Sequence, residues 1–268
     1  MVSPASISAG EREAVVAGAE LRLLLVGRGS ESLRGPNESA GLRVVDHADE
    51  AQAVVAYGGD GSLLGADREY PRLPKIPIRR DHEFAKCQVH GNPAVFERIA
   101  RREHQVTRLR RLVCEVNGQK IYGINDIVFH NAVVTAGVRY RVRIDSTIYA
   151  DEIVGDGLVV ATPFGSSAYY RSITKSVFRV GLGLAFNNST ESVNHLVLSE
   201  DSTVEVQITR GPAVVVADNM INHLSCDRGD VLRICYSHEH AEIWELSTLT
   251  CRDCRSIETG RPAGFRHV

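Results

Sequence analysis

Residues 53–64 read AVVAYGGDGSLL, and this stretch limits the fold more than any other. Five apolar residues describe a core strand, and the chain then meets Gly58, Gly59, Asp60 and Gly61 before an apolar helical pattern begins at Ser62. A strand that runs through a glycine turn into a helix is the start of a βαβ unit, in which ligands collect at the carboxyl ends of strands. Three glycines around one aspartate give a backbone that turns sharply and approaches something closely, with a carboxylate held at the turn. Phosphate oxygens fit such a turn. Gly-Asp-Gly also makes ordinary tight turns, in which Asp60 would only cap the helix starting at Ser62.

The neighbouring segments extend this unit. Residues 21–27 (LRLLLVG), 42–45 and 75–79 read as further buried strands. Residues 92–103 read as a helix with Asn92 as N-cap and Pro93 at its first position. The Ala-, Ser- and Glu-rich residues 1–20 include a further helix, and the Gly-Arg-Gly-Ser turn at 27–30 lacks the spacing of a nucleotide loop. From about residue 105 the pattern changes to strands alone, expected at 109–116, 119–130, 138–148, 158–161, 193–198, 203–209, 213–217, 231–236 and 241–246. Turn signals such as Asn117-Gly118 and Arg228-Gly229-Asp230 separate them. The expectation is a doubly wound α/β N-terminal domain over 1–104 and a β-sandwich-like domain over 105–246, with the tail 247–268 packing back on the first. A ligand cleft would then lie between the two.

With 268 residues, 43% of them hydrophobic, the chain can build sizeable cores. A formal net charge of −2 gives no global basic field, so no nucleic-acid partner is expected. The arginines Arg98, Arg101, Arg102, Arg108, Arg110 and Arg111 lack interleaved aromatic residues and read as a solvated face. No stretch approaches the ~20 apolar residues of a membrane span. The N-terminus MVSPASISAGERE lacks the apolar core of a signal peptide, so a cytoplasmic location with no membrane partner is expected. The six cysteines are scattered and read as reduced thiols. Cys251 and Cys254 form a C-x-x-C, but Cys226, Cys235 and His238 offer only a loose set of further ligands, and no protein-held metal is expected.

A second ligand-facing stretch lies at 156–170, DGLVVATPFGSSAYY. A carboxylate precedes a core strand, which ends in Pro163, Gly165 and two serines. That composition opens N–H groups and hydroxyls toward a phosphate or a ribose at a helix start, unless the serines merely cap the helix. GGDGSLL at 58–64, IND at 124–126 and DGLVVATPFGSSAY at 156–169 resemble, in order and spacing, the three signature blocks of the NAD kinases. Those blocks are GGDG followed by Thr or Ser, an Asn-Glu pair, and Asp-Gly followed by Thr-Pro-x-Gly-Ser-Thr-Ala-Tyr.

The resemblance implies an enzyme that moves the γ-phosphoryl of ATP to the 2′-hydroxyl of the adenosine ribose of NAD, with Mg²⁺ or another divalent cation, as a homodimer or homotetramer. It implies Asp60 as the base, with Gly58, Gly59 and Gly61 offering N–H groups to phosphate. Asn125 and Asp126 would hold the adenosine portion, and Asp156 the nicotinamide-side ribose or amide. Thr162, Gly165, Ser166, Ser167, Ala168 and Tyr169 would line the same site. Asp218 in VVADNM resembles an Asp-Gly turn on the ATP side, with Asn219 in place of glycine because Asn tolerates a left-handed backbone.

The chain also departs from the family. Asp126 is one methylene shorter than the usual Glu, and either shifts the ligand or marks a different one. RSITKSV at 171–177 stands where a Gly-Gly-Pro is usual, and IRRDHEFAKC at 78–87 where an Asn-x-Gly-x-Leu-Gly-Phe loop is usual. Arg79, Arg80, Arg171 and Lys175 are candidates to supply phosphate charge in place of those amides. Two alternatives stay open: a kinase of another hydroxyl acceptor such as a nucleoside, polyol or sugar, and a non-catalytic dinucleotide-binding relative.

Overall fold

The computed structural model describes residues 20–80, 87–251 and 253. The first elements are β1 (Arg22–Val26), α1 (Arg34–Ser39), β2 (Arg43–Val45), β3 (Ala53–Tyr57), α2 (Asp60–Glu69), β4 (Lys75–Ile78) and α3 (Asn92–Ala100). The strands pair in parallel in the order β2-β1-β3-β4. All five residues of β3 are buried because both of its faces are covered. Ala53, Val55 and Tyr57 join a core with Val95, Phe96 and Ile99 of α3, while Val54 and Ala56 pack with Ala66 of α2. This is the doubly wound arrangement expected of a continuous apolar strand. α3 differs from its expected cap by one position: Gly91 is the N-cap, because its carbonyl already accepts the first helical bond, from the Val95 N–H at 3.1 Å.

Then follow β5 (Val106–Val116), β6 (Gln119–Gly123), β7 (Asp126–Asn131), β8 (Val138–Ile144), β9 (Thr147–Gly155), β10 (Gly157–Ala161), α4 (Tyr169–Thr174), β11 (Leu182–Asn187), β12 (Leu196–Leu198), β13 (Val204–Arg210), β14 (Ala213–Ala217), β15 (Leu224–Cys226), β16 (Val231–Trp244) and α5 (Ser247–Thr250). One sheet runs β12-β11-β10-β7-β14-β15 and faces a second that contains β16, β13, β8, β9, β5 and β6. Between them lies a core that includes Leu112, Phe129, Tyr140, Leu158, Val206 and Ile234. The expected sandwich is present.

The two parts share a sheet. β16 pairs with β4 in parallel through Ile243 and Lys75, so the α/β sheet continues into the sandwich. Trp244 at the end of β16 belongs to the N-terminal core. The boundary expected near residue 104 falls between α3 and β5, and the sheet runs across it.

Several expected strands come out differently. Residues 119–130 are not one strand: the chain breaks at Ile124 and Asn125, where the Asp218 carboxylate accepts their N–H groups, and β6 and β7 lie in different sheets. Residues 138–148 turn at Asp145 and Ser146, both left-handed (φ 51 and 68), and return as β9. The strands at 231–236 and 241–246 are one, β16, with a register shift between Tyr236 and His240. β11 and β15 were not expected. In β11, Gly183 lets the Tyr170 and Phe178 rings approach the backbone.

At the chain's end Thr248 of α5 donates to the Pro77 carbonyl at 2.7 Å, so this part of the tail packs on β4. The helix expected within residues 1–20 and the rest of the tail fall outside the described residues. Among the described residues no helix is long and apolar enough to cross a membrane.

Candidate functional site

The turn between β3 and α2 is shaped by its first glycine. Gly58 has φ 147, and a side chain there would run into the Ser62 hydroxyl, so only glycine lets the chain leave the strand this way. Gly59 is the N-cap of α2, Asp60 is the first helical residue, and no side chain caps this end. Asp60 is therefore not the cap of a helix starting at Ser62. Its carboxylate is exposed at the carboxyl end of β3, in the first turn of α2, where the helix dipole favours negative charge.

Asp218 organises the second block. One carboxylate oxygen accepts the N–H of Asn125 at 2.8 Å and of Asp126 at 3.2 Å, and the other accepts that of Ile124 at 2.9 Å. Asp218 itself is left-handed (φ 50). The left-handed residue is thus Asp218 and not Asn219, which corrects the reading of Asn219 as a glycine replacement. Asn219 acts instead through its side chain, whose amide donates to the Gly61 carbonyl at 2.9 Å and accepts from Arg68 at 2.8 Å.

The third block closes on the second. The Asn125 carbonyl accepts the Thr162 N–H at 2.9 Å, the Thr162 hydroxyl donates to the Ile124 carbonyl at 2.7 Å, and it accepts the Gly165 N–H at 3.1 Å. Gly165 lies against the Asn125 backbone so closely that an added Cβ would be 2.6 Å from the Asn125 Cα. Gly61, Asn219, Asp218, Asn125, Thr162 and Gly165 thereby link the three sequence blocks. Thr162 is 3% exposed and Ser166 3%, and the Ser166 hydroxyl donates to the Pro163 and Phe178 carbonyls. Both hydroxyls hold the loop. Ser167 and Ala168 are exposed at its tip.

Asp156, half-buried, accepts from the Asn188 amide at 2.6 Å and the Asn131 amide at 3.4 Å. The Tyr169 hydroxyl accepts from Asn187 at 3.0 Å. Burial raises the Tyr169 pKa, with smaller contributions from the Asp156 and Asp126 charges. Burial, and secondarily the Asp218 charge, pushes Asp126 up to about 7. Burial also raises Asp218, against the three N–H groups that favour its charged form. The Asn125 side chain is buried and its Oδ1 meets no hydrogen-bond partner. This leaves one buried acceptor on the Asn125 side chain open to a donor.

The four basic candidates are placed mostly in local roles. Arg79 donates to the Leu249 carbonyl at 3.2 Å, Arg80 lies 5.9 Å from the Tyr57 ring centre, and Lys175 donates to the Ser172 carbonyl at 2.6 Å. Arg171 is exposed on α4. Sequence reasoning missed Asn131, Asn187 and Asn188 around Asp156. The only signal is the Asn-Asn pair ending an apolar run that glycines interrupt.

Residues 124–246 match the ATP-NAD kinase C-terminal domain family. An NAD kinase of Clostridium kluyveri is 27% identical over 155 residues, 52% of this chain, and the chain spans about half of that protein's length (54%). An NAD kinase of Halorubrum lacusprofundi is 29% identical over 230 residues, 78% of this chain and 82% of that protein. A yeast NADH kinase crystallised with NADH shares the fold at TM-score 0.73 and 14% identity, over 93% of this chain and 90% of that one. With the three linked blocks and these matches, residues 124–246 carry the C-terminal domain of the ATP-NAD kinases, and the chain resembles the NAD kinases over most of its length.

Proposed function

We propose that the chain phosphorylates the 2′-hydroxyl of the adenosine ribose of NAD, with ATP as donor. The observation that carries this reading is the hydrogen-bonded chain from Gly61 through Asn219 and Asp218 to Asn125, Thr162 and Gly165, which ties the GGDG turn to the adenosine-side loop. An acceptor held by Asn125 and Asp126 is thereby set in a fixed relation to Asp60. Asn125 Oδ1, lacking a partner, accepts the adenine amino group, and Asp126 bonds the ribose or base edge. Asp156, positioned by Asn131 and Asn188, takes the nicotinamide-side ribose or amide, with Tyr169 packed alongside.

In this mechanism Asp60 accepts the proton of the acceptor hydroxyl as its oxygen attacks the γ-phosphorus, and ADP leaves. Gly58, Gly59 and Gly61 let phosphate approach the backbone and the start of α2. Magnesium uses one or two carboxylates together with the phosphates themselves, so the exposed Asp60 carboxylate is compatible with a cation that arrives with the nucleotide. Such an ion would neutralise phosphate charge. Arg171, exposed on α4, is the basic candidate for adding to that neutralisation. Cytoplasmic location and homo-oligomeric assembly remain part of this proposal.

The test is NADP formation from NAD, ATP and Mg²⁺, read by an NADP-specific dehydrogenase, beside a panel of nucleosides, polyols and sugars read as ADP release. Asp60→Asn should lower turnover by about 10²–10⁴ and leave NAD affinity by calorimetry nearly intact. Near-wild-type turnover would remove Asp60 from the mechanism. Turnover of another hydroxyl compound in place of NAD would reassign the acceptor.

A further inference from the structure

We propose that Cys87, His90 and Cys251 are ligands of a structural zinc ion that fastens the end of the chain to the segment leading into α3. Their donor atoms all lie within 4.8 Å of one another. Cys87 Sγ is 3.1 Å from His90 Nδ1. Around tetrahedral zinc, with Zn–S near 2.3 Å and Zn–N near 2.0 Å, neighbouring donors stand about 3.5–3.8 Å apart. The three atoms therefore need to move by no more than about an ångström to become three corners of a ligand set.

The imidazole is already oriented for that role. His90 is 8% exposed, and its Nε2 lies 3.0 Å from the Ser247 hydroxyl. With the proton on Nε2 donated to that hydroxyl, Nδ1 turns its lone pair toward Cys87, which is how an outer hydrogen bond fixes the tautomer of a metal-binding histidine. Ser247 also opens α5, and its carbonyl accepts the Cys251 N–H at 2.8 Å, so the same turn places the second thiol. Three nearby groups that can serve as two thiolates and one neutral imidazole suit zinc better than a hard cation.

The sequence spacing matches. Cys87-x-x-His90 and Cys251-x-x-Cys254 are two short pairs far apart in the chain, each with the spacing of a zinc half-site. The sequence expectation of no metal rested on Cys226, Cys235 and His238 as the only partners for the C-x-x-C. Cys226 is instead in the sandwich core with Cys114, and the partners come from the other end of the α/β unit. The staple falls where IRRDHEFAKC replaces the family's usual loop. It would secure the α5 turn on which Thr248 reaches Pro77 and Arg79 reaches Leu249.

The test uses the full chain, produced without a histidine tag and passed through gel filtration. Metal analysis and native mass should give one zinc per chain, released when a mercurial reagent modifies the thiols. Cobalt in place of zinc should give thiolate-to-metal absorption and the visible bands of a tetrahedral site. Cys87→Ser and Cys251→Ser should lose the metal, whereas Cys235→Ser should keep it. If the first two variants fail to fold, the cobalt spectrum of the wild type still decides. Chain that is zinc-free and stays so after dialysis against zinc overturns the proposal, as does zinc retained undiminished in Cys87→Ser or a Cys87–Cys251 disulfide in the native protein.

Discussion

Asp126 is the residue whose charge is most in question. It is 5% exposed, and burial together with Asp218 holds its carboxyl at about 7. Between the ordinary carboxylate range and that value the folded chain keeps a proton that the unfolded chain has released. Stability from this group is therefore greatest in acid and falls as pH rises toward about 7, where the charged form is buried at a cost on the order of a few kcal/mol. Asp126→Asn should be more stable than the parent at about pH 8, and its stability should vary less between about pH 5 and pH 8. Urea denaturation at a series of pH values measures both; an equal slope in the two proteins would show that another group carries the dependence. If the Asp126 carboxylate accepts a hydrogen bond from the adenosine, NAD affinity in the wild type should rise as pH passes through about 7 and should not do so in the variant.

At the scale of elements, the junction of Gly165 with the 124–126 turn sets the position of the 163–168 loop. Gly165→Val would drive a branched side chain into the Asn125 backbone, so the 163–168 loop or the turn must shift. Overpacking of this kind costs about 1–3 kcal/mol. The expected outcome is a lower melting temperature with a raised KM for NAD and a smaller change in KM for ATP. Equal changes in both would mean that the loop does not discriminate between the substrates.

This junction also marks the limit of what the sequence discloses. β3, the glycine turn, β10 and the Gly-Ser-Ser loop are legible because each is a local pattern: a run of apolar residues followed by glycines that a specific backbone requires. The break at Ile124 and Asn125 is not legible. It is imposed by the Asp218 carboxylate from more than ninety residues away, and nothing in the local apolar alternation of 119–130 reports it. For the same reason the backbone tolerance of Asn219 misleads, since it is the side chain that binds Gly61. The partners of Cys251 lie 161 or more residues away, so neighbouring spacing does not reveal them.

For the whole molecule, a buried charge cluster holds the parts together. Asp67 of α2 pairs with Lys75 of β4 and, at 2.7 and 3.1 Å, with Arg111 of β5. Arg111 also donates to the carbonyls of Pro71 and His240, both at 2.9 Å, so α2, β4, β5 and β16 meet at one point. Lys75 is 0%, Asp67 5% and Arg111 4% exposed. Burial lowers the Lys75 pKa, and the Asp67 charge opposes that shift. Removing the buried anion would leave Lys75 and Arg111 facing each other away from water, with only the exposed Glu239 carboxylate 3.7 Å from Arg111, a change that costs roughly 3–5 kcal/mol. Asp67→Asn should therefore lower the melting temperature by about 10 °C. Because the sheet runs unbroken from β4 into β16, the fall should be shared by both parts. Fluorescence of Trp244, the chain's one tryptophan, reports the N-terminal core, and far-UV circular dichroism reports the strands of both sheets. Both signals should move together in the wild type and in Asp67→Asn. Should the Trp244 transition shift while the bulk of the strand signal keeps its midpoint, the shared sheet would not couple the two parts. Replacing the cluster with apolar residues, Asp67→Leu with Lys75→Met and Arg111→Met, should recover much of the loss, since a buried ion cluster stabilises little beyond well-packed residues of similar volume.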